Sequence, residues 1–270
     1  TCSVVCLLPQ AYSNKLRLPA LEVPGFIFLW CLEAQRKGMV INMELYVDIA
    51  DIDVIEEIAQ YFPIDGFTTN PKIFTQAKRP ITELMAAYKT YAEKNKVKVF
   101  IQVTGATATE MFEQAKKLHD YFGECFVVKI PAVKQGYQAI RLCKEAGIPV
   151  AVTVVHSMMQ ALVAAKAGAD YVAPYVSHID NMGADGVGCV AEMVNAFQNG
   201  GYPCKVIGAS FRTVDQLKNL AVCGCQAVTI APPLFDALIA HPATAESVKR
   251  FEKAWSEAFG DKQVSDLLPE

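Results

Sequence analysis

A lysine at position 129 stands inside a short apolar run, Cys125-Phe-Val-Val-Lys129-Ile-Pro131. Burying an unpaired ammonium in such a run penalises the charged form and favours a neutral amine. A desolvated lysine of lowered pKa attacks a ketone and forms a Schiff base. The plainer reading is a strand-end lysine that keeps its ammonium in water. The choice between them turns on which other polar groups the fold brings to that amine.

The order of elements says where to look. From Met43 onward, short β-branched runs alternate with longer segments of helical spacing. Glu44 to Asp48 reads as a first strand. Asp53 to Tyr61 follows, with apolar positions at Val54, Ile55, Ile58 and Ala59 that match a helix period. Gly66 to Asn70 is a second strand, and a helix near Ile81 to Lys94 follows it. Lys96 to Val103 is a third strand, and Thr107-Ala-Thr-Glu110 opens the next helix as a capping box. The Lys129 strand is fourth, ahead of a helix near Gln135 to Ala146. Pro149 to Val155, Asp170 to Ala173, Lys205 to Ala209 and Gln226 to Ile230 complete the strands. Helices are expected at Ser157 to Ala167 (capped by Gly168), Val187 to Gln198, Thr213 to Ala221 and Leu234 to Ala240. Roughly eight such units predict an α/β fold, a single (β/α)8 TIM barrel, with an extra C-terminal helix from about Thr244 to Phe259. A doubly wound sheet is disfavoured because no Gly-x-Gly-x-x-Gly follows the first strand.

The whole chain is compatible with that reading. It has 270 residues, 52% hydrophobic, enough for one barrel-sized core. A formal net charge of −3 leaves no electrostatic footprint for nucleic acid or an anionic membrane. No apolar run reaches the roughly 18 residues of a membrane span. Nine cysteines, scattered through apolar segments, argue against a secreted disulfide framework and for a cytoplasmic protein. Cys143, Cys189 and Cys204 read as small core residues; Cys223-Gly-Cys225, spaced more tightly than the usual zinc knuckle, reads first as a packing pair, with a redox or metal role as the alternative. Residues 1–42 carry no period that continues the pattern and are expected to form a poorly ordered extension outside the fold, leaving 43–270 as the barrel domain.

In a barrel the chemistry sits at the C-terminal strand ends. Those ends carry Asp48, then Thr68, Thr69 and Asn70, then Gln102 and Thr104, Lys129, Thr153, Tyr175, and Ser210 with Arg212. Each taken singly reads equally as a cap or turn residue. Together they surround one lysine with a carboxylate, amides, hydroxyls and a cation. That set suits carbon–carbon bond chemistry through a Schiff base. Asp48, Gln102, Thr153 and Tyr175 are candidates for proton transfer, and Ser210 and Arg212 for holding a phosphate.

The motifs Met43-Glu-Leu-Tyr-Val-Asp48, Gly66-Phe-Thr-Thr-Asn70-Pro71, Val127-Val-Lys129-Ile-Pro131, Gly147-Ile-Pro149, Ala173-Pro-Tyr-Val176 and Ala209-Ser-Phe211 resemble the transaldolase family. Its short branch, which includes fructose 6-phosphate aldolase, is closest, and the resemblance runs from Met43 to about Phe259. It implies a (β/α)8 barrel, a Schiff-base lysine at Lys129, no metal and no organic cofactor. It further implies that Asp48 assists proton transfer and that Asn70 and Thr68 hold a substrate hydroxyl. Thr153 and Tyr175 would hold the catalytic water, and Ser210 and Arg212 would bind substrate hydroxyl and phosphate. Gln102 stands where transaldolases carry a glutamate, which favours the aldolase branch. His178 stands where the family usually has a phosphate-binding arginine. A histidine cannot offer phosphate the bidentate fork of arginine, so weaker binding of phosphorylated substrates is expected. His156, where the aldolases place an aromatic residue, is expected to pack.

The resemblance therefore implies a class I aldolase that cleaves or forms fructose 6-phosphate from dihydroxyacetone and glyceraldehyde 3-phosphate, or a close analogue. The alternatives are a transaldolase moving a dihydroxyacetone unit between sugar phosphates in the pentose phosphate pathway, and a non-catalytic barrel that binds a sugar phosphate. A homo-oligomer, decameric by resemblance, is the expected assembly. Phe251, Trp255 and Phe259 have the spacing of a docking face on the last helix.

Overall fold

The computed structural model describes residues 42–269, so the extension expected over residues 1–42 lies, but for its last residue, outside the described part. Eight strands run through that part: β1 (Glu44–Asp48), β2 (Gly66–Thr68), β3 (Lys98–Gln102), β4 (Phe126–Pro131), β5 (Val150–Val155), β6 (Tyr171–Pro174), β7 (Lys205–Gly208) and β8 (Ala227–Ile230). All pair in parallel with their sequence neighbours, and β8 returns to β1, closing the barrel. Helices after each strand cover the outside, so most strand positions are buried on both faces.

Local chemistry sets the boundaries. Thr107 and Glu110 form the expected capping box at the start of the Ala108–Phe122 helix. Gly168, left-handed at φ +102°, ends the Met158–Ala167 helix. β2 stops at Thr68 rather than Asn70, because the Asn70 side chain accepts a 3.0 Å hydrogen bond from the Ile73 N–H and caps a short helix, Pro71–Thr75. A second short helix, Val176–Asn181, follows β6. Neither is long enough to register as a 3.6-residue period in sequence. Gly66 has φ +147°, and a Cβ there would collide with the Lys98 carbonyl oxygen, so β2 enters beside β3 only through glycine.

Strand pleating fills the barrel in layers. The middle layer includes Tyr46, Phe100, Val127, Ala151, Ala173, Ile207 and Ala227, with the Tyr46 and Phe100 rings 4.8 Å apart and edge-on. Below it, at the N-terminal end, Glu44 accepts from Lys205 Nζ at 2.8 Å, Tyr46 Oη at 2.9 Å and Tyr171 Oη at 3.0 Å. Two residues beyond the middle layer, the same strands deliver Asp48, Gln102, Lys129, Thr153, Tyr175 and Thr229 to the opposite mouth. The apolar layer thus separates a charged floor from the polar mouth.

The final helix, Pro242–Phe259, has no buried residue, and Phe251 is 64% exposed. Cys143, Cys204, Cys223 and Cys225 are buried, while Cys189 is half-buried. Among the described residues, no helix is long and apolar enough to cross a membrane.

Candidate active site

A cavity of about 710 Å³ opens at the C-terminal mouth of the barrel. All ten residues singled out as site residues from sequence line it: Lys129, Asp48, Gln102, Thr153, Tyr175, Asn70, Thr68, Ser210, Arg212 and His178. Thr104 does not; its backbone N–H donates to Gln114 instead. A hollow of similar volume, about 720 Å³, lies between the Ile52–Tyr61 and Ile81–Asn95 helices and holds none of the strand-end residues.

Lys129 projects inward from the middle of β4, directly beside Gln102 in the β3 register, and is only 6% exposed. Its Nζ donates to the Thr69 carbonyl at 2.8 Å. Burial pushes its pKa down from the ordinary lysine value, and the attraction of the Asp48 charge offsets this only in part. The amine is therefore desolvated rather than snorkelled, which favours its neutral form.

Asp48 ends β1. Thr68 Oγ1 donates to its Oδ1 at 2.7 Å, and Thr68 Oγ1 also lies 2.6 Å from Thr229 Oγ1. This carboxylate–hydroxyl–hydroxyl chain fixes the carboxylate over the barrel axis. Thr229 has no role assigned from sequence, since a threonine inside Ala-Val-Thr-Ile reads as an ordinary β-former. The signal that finds it is the layer rule, two residues beyond the buried Ala227.

On the other side, Thr153 Oγ1 and Tyr175 Oη lie 3.2 Å apart. Burial raises the Tyr175 pKa, the Thr153 bond pulls it back somewhat, and the Asp48 charge adds to the rise. The phenol therefore stays protonated near neutral pH, with a hydroxyl that can donate as well as accept. Thr153 reaches this place through an irregularity: the β5–β6 register shifts between Val152 and Val155, and Val154 sits at φ +61°. A β-branched residue in that region is strained, as is common where a strand re-aims a side chain beside a site.

The far rim is aromatic and cationic. The His178 ring stacks on His156 at 5.7 Å and stands edge-on to Tyr175 at 5.1 Å. His156, expected to pack, does so as part of this ring cluster, 5.6 Å from Tyr175. Ser210, at φ +53°, and the exposed Arg212 lie on the loop after β7. Across the cavity Asn70 presents its amide from the helix cap. Among the described residues, no group of three or more His, Cys, Asp or Glu stands together as a metal cage.

The mouth thus offers a neutralisable buried amine, one anchored carboxylate, a hydroxyl pair and a cationic rim within one cavity. Two structures of mandelate oxidase resemble the chain in shape. One, a variant with a monooxide FMN adduct, is 16% identical with a TM-score of 0.49, over 73% of this chain and 67% of that one. The other, a variant with 2-hydroxy-phenylacetamide, is 14% identical with a TM-score of 0.50, over 71% and 65%. At such identity the likeness concerns the barrel alone. The family model of transaldolase/fructose-6-phosphate aldolase matches residues 45–266, almost all of the barrel and the last helix. The chain belongs to the transaldolase/fructose-6-phosphate aldolase family, whose members are Schiff-base aldolases and transaldolases.

Proposed function

We propose that this enzyme is a class I aldolase that cleaves fructose 6-phosphate, or a close analogue, to dihydroxyacetone and glyceraldehyde 3-phosphate, and runs in reverse. The observation that carries this reading is the Lys129 amine, buried and of lowered pKa, facing a cavity that also holds Asp48 and the Thr153–Tyr175 pair.

In this mechanism neutral Lys129 Nζ adds to the ketone carbon. A water held by Thr153 and Tyr175 relays one proton from the added nitrogen and one from solvent to the carbinolamine oxygen, which leaves as water and gives an iminium. Asp48 takes the proton of the hydroxyl on the carbon beyond the scissile bond as that bond breaks. Its electron pair flows into the iminium, giving an enamine and a free aldehyde. Asn70 and Thr68 hold the donor hydroxyls. Ser210, Arg212 and His178 hold the distal phosphate. Asp48 then returns its proton, through the Tyr175–Thr153 water, to the enamine carbon, and hydrolysis of the resulting iminium frees dihydroxyacetone and Lys129. Gln102, an amide with no proton to give or take, favours this route over transfer: the hydroxyl pair is left as the proton path that ends the enamine's life.

The reading extends to a homo-oligomer working in the cytoplasm, supported by the exposed Phe251 and Phe259 on the final helix and by the burial of Cys143, Cys204 and Cys225 as packing residues. Sedimentation of the purified chain tests the assembly, and a monomer there would remove that part.

The reaction is tested by measuring glyceraldehyde 3-phosphate released from fructose 6-phosphate, with and without erythrose 4-phosphate. Release without acceptor is the expected result. Release only with acceptor would make the enzyme a transaldolase.

A further inference from the structure

We infer that Gln216 is a positioning residue for the phosphate end of the substrate, joining the loop that carries Ser210 and Arg212 to the short helix that carries His178. This rests on the assignment of those three residues to substrate binding made above.

Gln216 lies in the first turn of the Val214–Val222 helix and closes a capping box with Thr213. A capping box needs only the two reciprocal bonds between Thr213 and Gln216. Here the same carboxamide does more. Its Oε1 accepts from the Thr213 N–H at 3.2 Å and from the Arg212 N–H at 2.8 Å. Its Nε2 donates to Asp180 Oδ2 at 2.6 Å and to Ser177 Oγ at 3.3 Å, both on the Val176–Asn181 helix. Asp180 is itself fixed, because its Oδ1 accepts from the Gly186 N–H at 2.7 Å. Beside this bridge the Ser177 N–H donates to the Ser210 carbonyl at 2.9 Å, while Ser210 sits in the left-handed region. A serine at positive φ persists where its surroundings over-determine it, and this bridge does so.

The chemistry of the side chain is specific. One end must accept from two N–H groups and the other must donate to a carboxylate. Glutamine does both. Gln216→Glu would set two carboxylates against each other at the Asp180 contact, and Asp180→Asn would set two amide N–H groups against each other. Making both changes together restores the bond with its polarity reversed. The amide introduced by Asp180→Asn then donates to the carboxylate introduced by Gln216→Glu, whose other oxygen still accepts from the Arg212 and Thr213 N–H groups.

The test compares KM for glyceraldehyde 3-phosphate and for unphosphorylated glyceraldehyde, with dihydroxyacetone as donor, in Gln216→Glu, Asp180→Asn, their double variant and Arg212→Ala. Each single variant of the pair is expected to raise KM for the phosphorylated aldehyde at least about tenfold, with KM for glyceraldehyde and kcat moved less than about threefold. The double variant is expected to return to within about threefold of the parent. If the singles leave the phosphate preference intact while Arg212→Ala destroys it, Gln216 has no such role. If both KM values rise alike, or the double variant is no better than the singles, Gln216 is only a helix cap and the inference is overturned. If Arg212→Ala itself leaves the phosphate preference unchanged, the phosphate assignment fails and the Gln216 role falls with it. Should Gln216→Glu not fold, Gln216→Met, which removes donor and acceptor without adding charge, carries the same expectation as the single variants.

Discussion

Replacing Lys129 with methionine should abolish turnover and yet leave the protein more stable. The methionine fills nearly the same volume in β4 without a polar tip. Two losses accompany the change: the 2.8 Å hydrogen bond to the Thr69 carbonyl, worth about 0.5–1.5 kcal/mol, and the attraction between the ammonium and Asp48. Against them stands relief of burying a strongly polar, chargeable group at a site only 6% exposed, about 1–3 kcal/mol on mutational scales and more when the amine is charged. The net expectation is a gain of about 1 kcal/mol, or a melting point about 2–4 °C higher for a domain of this size. Its pH dependence follows from the lowered pKa. Between the folded-state value and the ordinary 10.5, the unfolded chain holds a proton that the folded chain lacks, so parent stability rises with pH through that window. The advantage of Lys129→Met is therefore greatest at low pH and fades toward 10.5. Thermal melts across pH, with borohydride trapping in the presence of fructose 6-phosphate, read both effects. An adduct still trapped in Lys129→Met would remove Lys129 from the mechanism. A variant less stable than the parent throughout would show that the amine is a structural anchor rather than a strained nucleophile.

If the two hydroxyls, 3.2 Å apart, hold one water as proposed, Thr153→Val and Tyr175→Phe should each lower kcat by about a hundred- to a thousandfold, and the double variant by little more than the worse single; multiplying losses would refute the shared water. His178→Arg should lower KM for fructose 6-phosphate about tenfold by restoring a guanidinium fork at the rim, and unchanged kinetics would sink the role given to that position. Glu44→Gln on the barrel floor should cost about 1–3 kcal/mol at neutral pH, discounted for the partly exposed Lys98 and Lys205. Burial alone would raise the Glu44 pKa, but the Lys205 and Tyr46 hydrogen bonds and the two ammonium charges outweigh it and hold the carboxyl low. The stability it supplies is thus present above the ordinary 4.5 and lost as pH falls through the lower folded value, so melts of parent and variant should converge in acid.

The barrel, its eight strands and ten of the residues that line its mouth were legible in the sequence. The reason is that strand alternation, helix caps and strand-end polar residues are all encoded locally, within a few positions of each other. Asp48, Lys129 and Tyr175 stand out because a charge or phenol interrupts or ends an apolar run. Thr229 does not, because threonine belongs in a strand on propensity alone. Nothing local marks Val154 either: a valine at φ +61° is held by the β5–β6 register shift, a property of two strands rather than of one residue. The same applies to the double duty of Gln216, whose sequence signature is an ordinary capping box, and to the two short helices that carry Asn70's cap and His178. Period-two alternation, read along the chain, settles which side chains arrive at the mouth. What each one meets there is settled only when the barrel closes, because the dry pocket that lowers the Lys129 pKa and the hydroxyl pair across it are made by strands far apart in the chain.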